Sequence, residues 1–269
     1  MTDRCSKTES YHKIDLSFFT HNGGLRANNE DSLLVDDLVI SDRSMEKPLS
    51  HQMTGREIIC CVADGIGGSE KGEVASNLVL SALRNQEAGI KDEESLGSAI
   101  AEGKELLEKY VLDNPDAANL GCTLAGISIF GDSAIVFNAG DCRVYRINGS
   151  FFEQITRDHS IVQALFEEGI IKEDEMRSHP RRNVVTSSVS GDGNPNSVKL
   201  FFTKIPIRVS DVFFICCDGI WGCFSHDELE LIYQRFKGYE FCEKLLGAAI
   251  ARKASDNISA ILIQISSGV

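Results

Sequence analysis

The stretch CCVADGIGGSEKGEVAS, residues 60–76, sets an apolar, β-prone run directly against an acid and a group of glycines. Cys60, Cys61, Val62 and Ala63 suit a buried strand, so Asp64 falls where the strand meets solvent. Gly65, Gly67 and Gly68 then permit a tight turn with positive φ and close approach of a ligand. A helical pattern starting near Glu73 carries the chain away. Taken alone this is an ordinary Asp-Gly turn, but the pattern recurs: residues 212–217 form another apolar run that ends in Asp218-Gly219.

Outward from that stretch, residues 14–20 and 58–63 read as strands, and 32–40 as one continuous strand. Residues 41–56 are polar, carry Pro48 and read as a loop. Helices are expected over residues 73–83 and 96–111, the second stopped by Asn114-Pro115. Residues 123–130 and 134–139 form a hairpin across Gly131-Asp132, and 143–147 meets 151–155 across Asn148-Gly149. Asp158 is placed to cap a short helix that ends at Gly169. Residues 170–199 turn polar and irregular and are expected to be a mobile, flap-like surface. Ser225 and Glu228 match a capping box for a helix toward Phe236, and a further helix spans about 240–252. A last strand, 258–265, follows Asp256-Asn257. Strands in hairpin order with helices paired between them predict an α+β layer fold on antiparallel sheets, in one domain over residues 1–269.

Composition narrows the partners. Lys+Arg 27 against Asp+Glu 40 gives a net charge of -13, which disfavours nucleic acid and anionic membrane. The nine cysteines are odd in number and include adjacent pairs inside apolar runs, and no C-x-x-C pair supports zinc. They suit packing in a reducing compartment. The first residues, MTDRCSKTESYHK, hold no apolar segment, and no stretch has the length of a membrane span, so a soluble cytoplasmic protein is expected.

Asp64, Asp141, Asp218 and Asp256 each sit at the end of an apolar run, with Glu30 and Asp31 flanking another. Carboxylates gathered in one volume repel one another unless a cation compensates, and oxygen-only ligation favours Mg²⁺ or Mn²⁺ over zinc.

Eight segments in order resemble the motifs of the PPM (2C-type) metal-dependent serine/threonine protein phosphatases, bacterial-type members included. They are RANNED (26–31), ADGIGGSEKGEVAS, GCTLAG, AGDCRVY, TRDHS, HPRRNVVT, CCDGIWG and SDNIS. The resemblance implies a central antiparallel β-sandwich flanked by helix pairs, four layers αββα, with a two-metal site at one edge. By position, Asp64 would bridge both metals, the Gly65 carbonyl would bind one, and Asp218 and Asp256 the other. Asp141 would help hold a third, weaker ion. Glu30 and Asp31 would act through water and hydrogen bonds, and Arg26 would grip the substrate phosphate with its fork of donors. The implied reaction is hydrolysis of phosphoserine or phosphothreonine by in-line attack of a water bridging two Mn²⁺ or Mg²⁺ ions. Phosphorylated proteins, substrates of a serine/threonine kinase or the kinase itself, would be the partners. A catalytically silent binding module and hydrolysis of a small phosphoester are the competing readings; no metal-ligand acid is missing to favour the first.

Two departures bear on chemistry. Many eukaryotic relatives carry histidine after Asp-Gly, where this chain has Ile66, which cannot protonate a leaving group. Cys122 and Cys142 replace small hydroxyl residues. Burial is the expected role of Cys142, ahead of redox sensitivity. A structural role is expected for His159, and His179 is left between structure and substrate access. Arg181 and Arg182 read as surface cations able to steer phosphopeptides, and Trp221 as core.

Overall fold

The computed structural model describes residues 11–67, 71–86, 88–118, 120–194 and 198–268; Cys5 and Gly68 lie outside the described residues. In chain order the elements are β1 (His12–His21), β2 (Ser32–Val35), β3 (Leu38–Ile40), β4 (Leu49–Gly55), β5 (Glu57–Ile66), α1 (Gly72–Arg84) and α2 (Glu93–Asp113). After a 3₁₀ turn at Pro115–Ala117 come β6 (Gly121–Phe130), β7 (Ser133–Ala139), β8 (Arg143–Asn148), β9 (Phe151–Gln154), α3 (Ile161–Glu167), α4 (Glu173–Met176) and β10 (Val189–Ser190). The chain closes with β11 (Phe201–Pro206), β12 (Val212–Cys216), α5 (Asp218–Cys223), α6 (His226–Arg235), α7 (Gly238–Ala251) and β13 (Ile258–Ser267).

Two antiparallel sheets result, one ordered β4-β1-β13-β12-β8-β9 and the other β11-β7-β6-β5-β2-β3, with β10 added to β6. Period-2 alternation on β5 shows how they stack. Cys60 and Val62 join the core between the sheets, whereas Cys61 and Ala63 face α1 and α2 on the outer side. On the opposite outer face, α7 packs on β1 and β13 and α6 on β9. The order helices, sheet, sheet, helices is the expected four-layer arrangement. Strands covered on both faces read as unbroken apolar runs, which is why β6 and β12 carry no alternation.

Helix ends follow local chemistry. The Asp92 side chain accepts from Ser95 N at 2.8 Å to start α2, and Ser225 and Glu228 form the expected capping box on α6.

Several expectations change. Residues 41–56 are not all loop: β4 pairs with β1 as a mostly exposed edge strand, with Met53 alone packing on the core, so no hydrophobic alternation marks it. Residues 32–40 turn back on themselves at Asp36 (φ 59°), giving β2 and β3 rather than one strand. Asp158 does not cap α3. Ser160 does, accepting from Gln163 N at 3.2 Å, while the buried Asp158 pairs with Arg143 at 2.7 Å. Within 170–199 the chain forms α4 and β10, and Lys104 on α2 donates to Ser190 O at 2.6 Å and Asp192 at 2.7 Å. β11, a half-buried edge strand, is not anticipated by the sequence reading.

Candidate active site

Strand register gathers the acids. Ser32 is paired with Ala63 across β2 and β5, so Asp31 and Asp64 stand opposite one another one step beyond. By the same parity Asp64 follows Cys60 and Val62, and Asp31 follows Leu33 and Val35, onto the face between the sheets. In the other sheet Cys216 is paired with Arg143, which sets Asp218 across from Asp141 two steps on. Cys217 N donates to Ser259 O at 3.2 Å, fixing the loop that carries Asp256 beside Asp218. All five aspartates therefore emerge at one end of the sandwich.

A cavity of about 270 Å³ opens there, lined by Arg26, Glu30, Asp64, Gly65, Asp141, Asp218 and Asp256. These are the candidate residues with one exception: Asp31 lies beneath the cavity, fully buried. Thr123, Asn183 and Val185 also line it and are missed by the sequence reading, although Asn183 and Val185 fall inside HPRRNVVT.

β5 continues through Ile66, so Asp64 and Gly65 belong to the strand and not to a turn; Gly65 is not among the positive-φ residues. Glycine is needed there for close approach. A Cβ on Gly65 would stand 2.3 Å from Gly72 O and 2.6 Å from Glu30 O, so the start of α1 and the Glu30 backbone could not pack against it. The Glu30 carboxylate accepts from Gly72 N at 3.4 Å, and Ser76 Oγ donates to Glu30 O at 2.7 Å, which ties the 26–31 segment to α1.

Asn257, quoted in SDNIS but given no role from sequence, fixes that segment from the other side. Its Oδ1 accepts from Glu30 N at 2.9 Å, and its Nδ2 donates to Asn28 O at 2.9 Å and Asn22 O at 3.3 Å. The side chain is buried, so truncation leaves backbone groups unpaired. Asn257→Ala should cost about 2 kcal/mol and lower the melting temperature by about 4–8 °C, read by thermal denaturation. An unchanged melting temperature would show that these bonds do not hold the loop.

Arg26 is half exposed and donates to Asp256 Oδ2 at 2.9 Å. Burial dominates the acids' electrostatics. It raises Asp31 to about 7, helped by Asp218 and Asp256; the nearby Ser259 hydroxyl and Cys217 thiol pull the other way. Neither Asp31 oxygen is in a hydrogen bond of good geometry, and Ser259 Oγ is engaged with Thr20 Oγ1 at 2.8 Å. Asp218 rises to about 6 through burial and the charge of Asp256, with Oδ1 buried and unpartnered. Asp64 and Asp141 are held well above the carboxylate range, by burial first and then by their acidic neighbours.

Among the described residues no three carboxylate, imidazole or thiol groups are already drawn together as a ready-made metal cage. The donor set nevertheless fits a hard divalent cation: oxygen ligands only, mutual repulsion, and unpartnered oxygens on Asp31 and Asp218.

The remaining candidates sort into supports. Trp221 is buried, donates from Nε1 to Asp141 O at 2.8 Å and carries the Arg143 guanidinium 4.0 Å above its ring. His159 Nδ1 accepts from Gly140 N at 3.2 Å, a structural bond one residue from Asp141. His179 Nδ1 accepts from Arg181 N at 3.1 Å in an exposed turn. Cys142 is fully buried and its thiol is pushed well above the usual range, first by burial, which fits packing better than reactivity. Ile66 is exposed at the cavity and offers no proton.

Comparison with known proteins bears on this site. The protein phosphatase 2C family profile matches residues 19–165. Serine/threonine protein phosphatase PstP of Mycobacterium tuberculosis is 28% identical over 250 residues, 90% of this chain but 43% of PstP, so the chain spans less than half of that relative. Serine/threonine phosphatase stp of Listeria monocytogenes is 26% identical over 255 residues, 92% of this chain and 94% of stp. Among solved structures, M. tuberculosis PstP superposes with a TM-score of 0.79 at 27% identity, covering 94% of this chain and 99% of that one. The PstP catalytic domain in complex with two manganese ions gives 0.77 at 25% identity, covering 95% and 100%. Among the described residues no helix is long and apolar enough to cross a membrane.

Proposed function

The chain belongs to the protein phosphatase 2C family, and on that premise we propose that it is a divalent-cation-dependent phosphatase acting on phosphoserine and phosphothreonine in proteins. The observation that carries the reading is the convergence of four aspartates beside Arg26 in one cavity, with a fifth, Asp31, buried beneath it, and with unpartnered oxygens on Asp31 and Asp218. Such a cluster is a poor device for stability and a good one for holding cations.

Asp64, the Gly65 carbonyl, Asp218 and Asp256 would hold two ions, Mn²⁺ or Mg²⁺, and Asp141 would help hold a third. When bound, the ions would neutralise phosphoryl oxygens and supply an activated water. Arg26, hinged between Asp256 and the open cavity, would trade that ion pair for a bidentate grip on the substrate phosphate. Glu30 is raised by burial first, and beside the cavity it is suited to accepting a proton from water. Asp31, beneath the floor, would orient groups above it. With Ile66 where a histidine would serve as acid, the leaving alkoxide would take its proton from water. The buried cysteines have no nucleophilic part.

The whole of residues 1–269 would serve as one catalytic domain, in the cytoplasm, acting on proteins phosphorylated by a serine/threonine kinase or on the kinase itself. The test is release of phosphate from a phosphothreonine peptide with Mn²⁺ or Mg²⁺. Turnover should vanish in excess chelator and return on adding either ion. Folded protein without turnover in both metals overturns the reading, and a clear preference for small phosphorylated metabolites overturns its protein-substrate part.

A further inference from the structure

A second depression of about 280 Å³ adjoins the acid-lined cavity and shares Asp218, Asp256 and Asn183 with it. Its lining also carries three cations, Arg182, Arg252 and Lys253. In a chain of net charge -13, three cations stand here directly beside the aspartate cluster. Arg252 is partly engaged, donating to Glu228 at 2.6 Å and to Cys223 O at 3.0 Å. Arg182 and Lys253 are exposed, and among the described residues neither side chain is in a hydrogen bond or ion pair.

Lys253 is fixed at this rim by the end of α7. Its N donates to Ile250 O at 2.9 Å and Ala254 N donates to Ala249 O at 3.1 Å, and its φ is 53°. That is the left-handed position where a helix end favours glycine. Glycine would close this helix with less strain, yet the chain places a cation there.

We propose that the depression is an anion subsite for the substrate, taking a phosphoryl or carboxylate group on a residue flanking the phosphoserine or phosphothreonine. The proposal rests on the phosphatase reading above and narrows its substrates to acidic or multiply phosphorylated segments. The shared walls put the two groups within a few residues of extended chain, at about 3.3–3.6 Å per residue. Without such a site the acid cluster would repel these segments. Arg182 supplies a planar fork and Lys253 a point charge, both exposed, so their effect is modest and sensitive to salt.

Three phosphothreonine peptides decide it: one with neutral flanks, one with acidic flanks and one with a second phosphoserine. Their kcat/KM values with Mn²⁺ are compared for the wild type, Lys253→Gly, Arg182→Ala and the double variant. The wild type should favour the two acidic peptides by about fivefold. The double variant should bring the ratio near unity while lowering turnover of the neutral peptide far less than that of the acidic ones. A preference for the doubly phosphorylated peptide alone identifies phosphate as the group; preference for both identifies negative charge in general. A ratio near unity in the wild type, or one that survives in the double variant, overturns the proposal. If no peptide is turned over, the phosphatase reading has failed separately. Fluorescence anisotropy of the same labelled peptides then still reads the subsite: tighter binding of the acidic peptides, lost in the double variant, supports it, and equal binding overturns it.

Discussion

Asp64→Asn should lower kcat/KM on a phosphopeptide by roughly 10³-fold or more while raising the melting temperature of the metal-free chain. The two effects have opposite signs because one carboxylate serves opposed ends. As a proposed ligand to both ions, Asp64 cannot be replaced by an amide, which is neutral and a weaker donor to a hard cation. Burial first, and then the charges of Asp31, Asp218, Asp256 and Asp141, oppose its ionisation, so it works against the folded state whenever no cation is present. Asparagine keeps the shape and removes the repulsion. Asp218→Asn should behave alike, since burial and Asp256 raise that carboxyl too. A residue kept only for structure would show the reverse, with lower stability and activity falling only as far as folding does. Near-normal turnover in either variant would refute the assignment. Circular dichroism melting in chelator, beside steady-state kinetics in Mn²⁺, measures both effects.

Sequence reading carries furthest where periodicity and chemistry agree. The β12 run that gives way at Asp218, the hairpins at Gly131-Asp132 and Asn148-Gly149, and the capping box at Ser225 stand as expected because short-range rules decide them, whereas β5 runs past Asp64 to Ile66. Edge strands are where it fails. β4 and β11 owe their form to the β1 and β7 edges they pair with, and neither exposed nor half-buried residues record that partner. Asp158 shows a different limit, since a half-buried Arg143 claimed a side chain that local rules assign to a cap. The candidate acids could be picked out one by one, but their convergence is a matter of register across two sheets, which one sequence does not contain. Asn257 was hidden for the same reason: its three backbone partners lie more than two hundred positions away.

Melting temperature in excess chelator should fall by about 5 °C or more between pH 5 and pH 7.5. The sign follows from the direction of the shifts. Asp31 and Asp218 titrate at about 7 and about 6 in the fold but near 4 when unfolded, so the folded chain holds more protons between those limits. Stability is therefore greatest below the unfolded value and is lost as pH rises through the folded values. Opposing groups set the lower bound. Asp192 and Glu228 are drawn down to about 2 in the fold, Asp192 by its bond from Lys104 working against burial, Glu228 first by its bond from Arg252. Their contribution is lost as pH falls below the unfolded range, and both are near the surface, so it is small. Mn²⁺ at pH 7.5 should restore more than the pH rise removed, and should add less at pH 5, where protons compete for the same oxygens. Asp218→Asn should flatten the chelator profile and reduce the gain from Mn²⁺. A wild-type profile that is flat from pH 5 to 7.5, or a Mn²⁺ gain equal at both ends, would mean that these carboxylates are not sharing a site that waits for a cation.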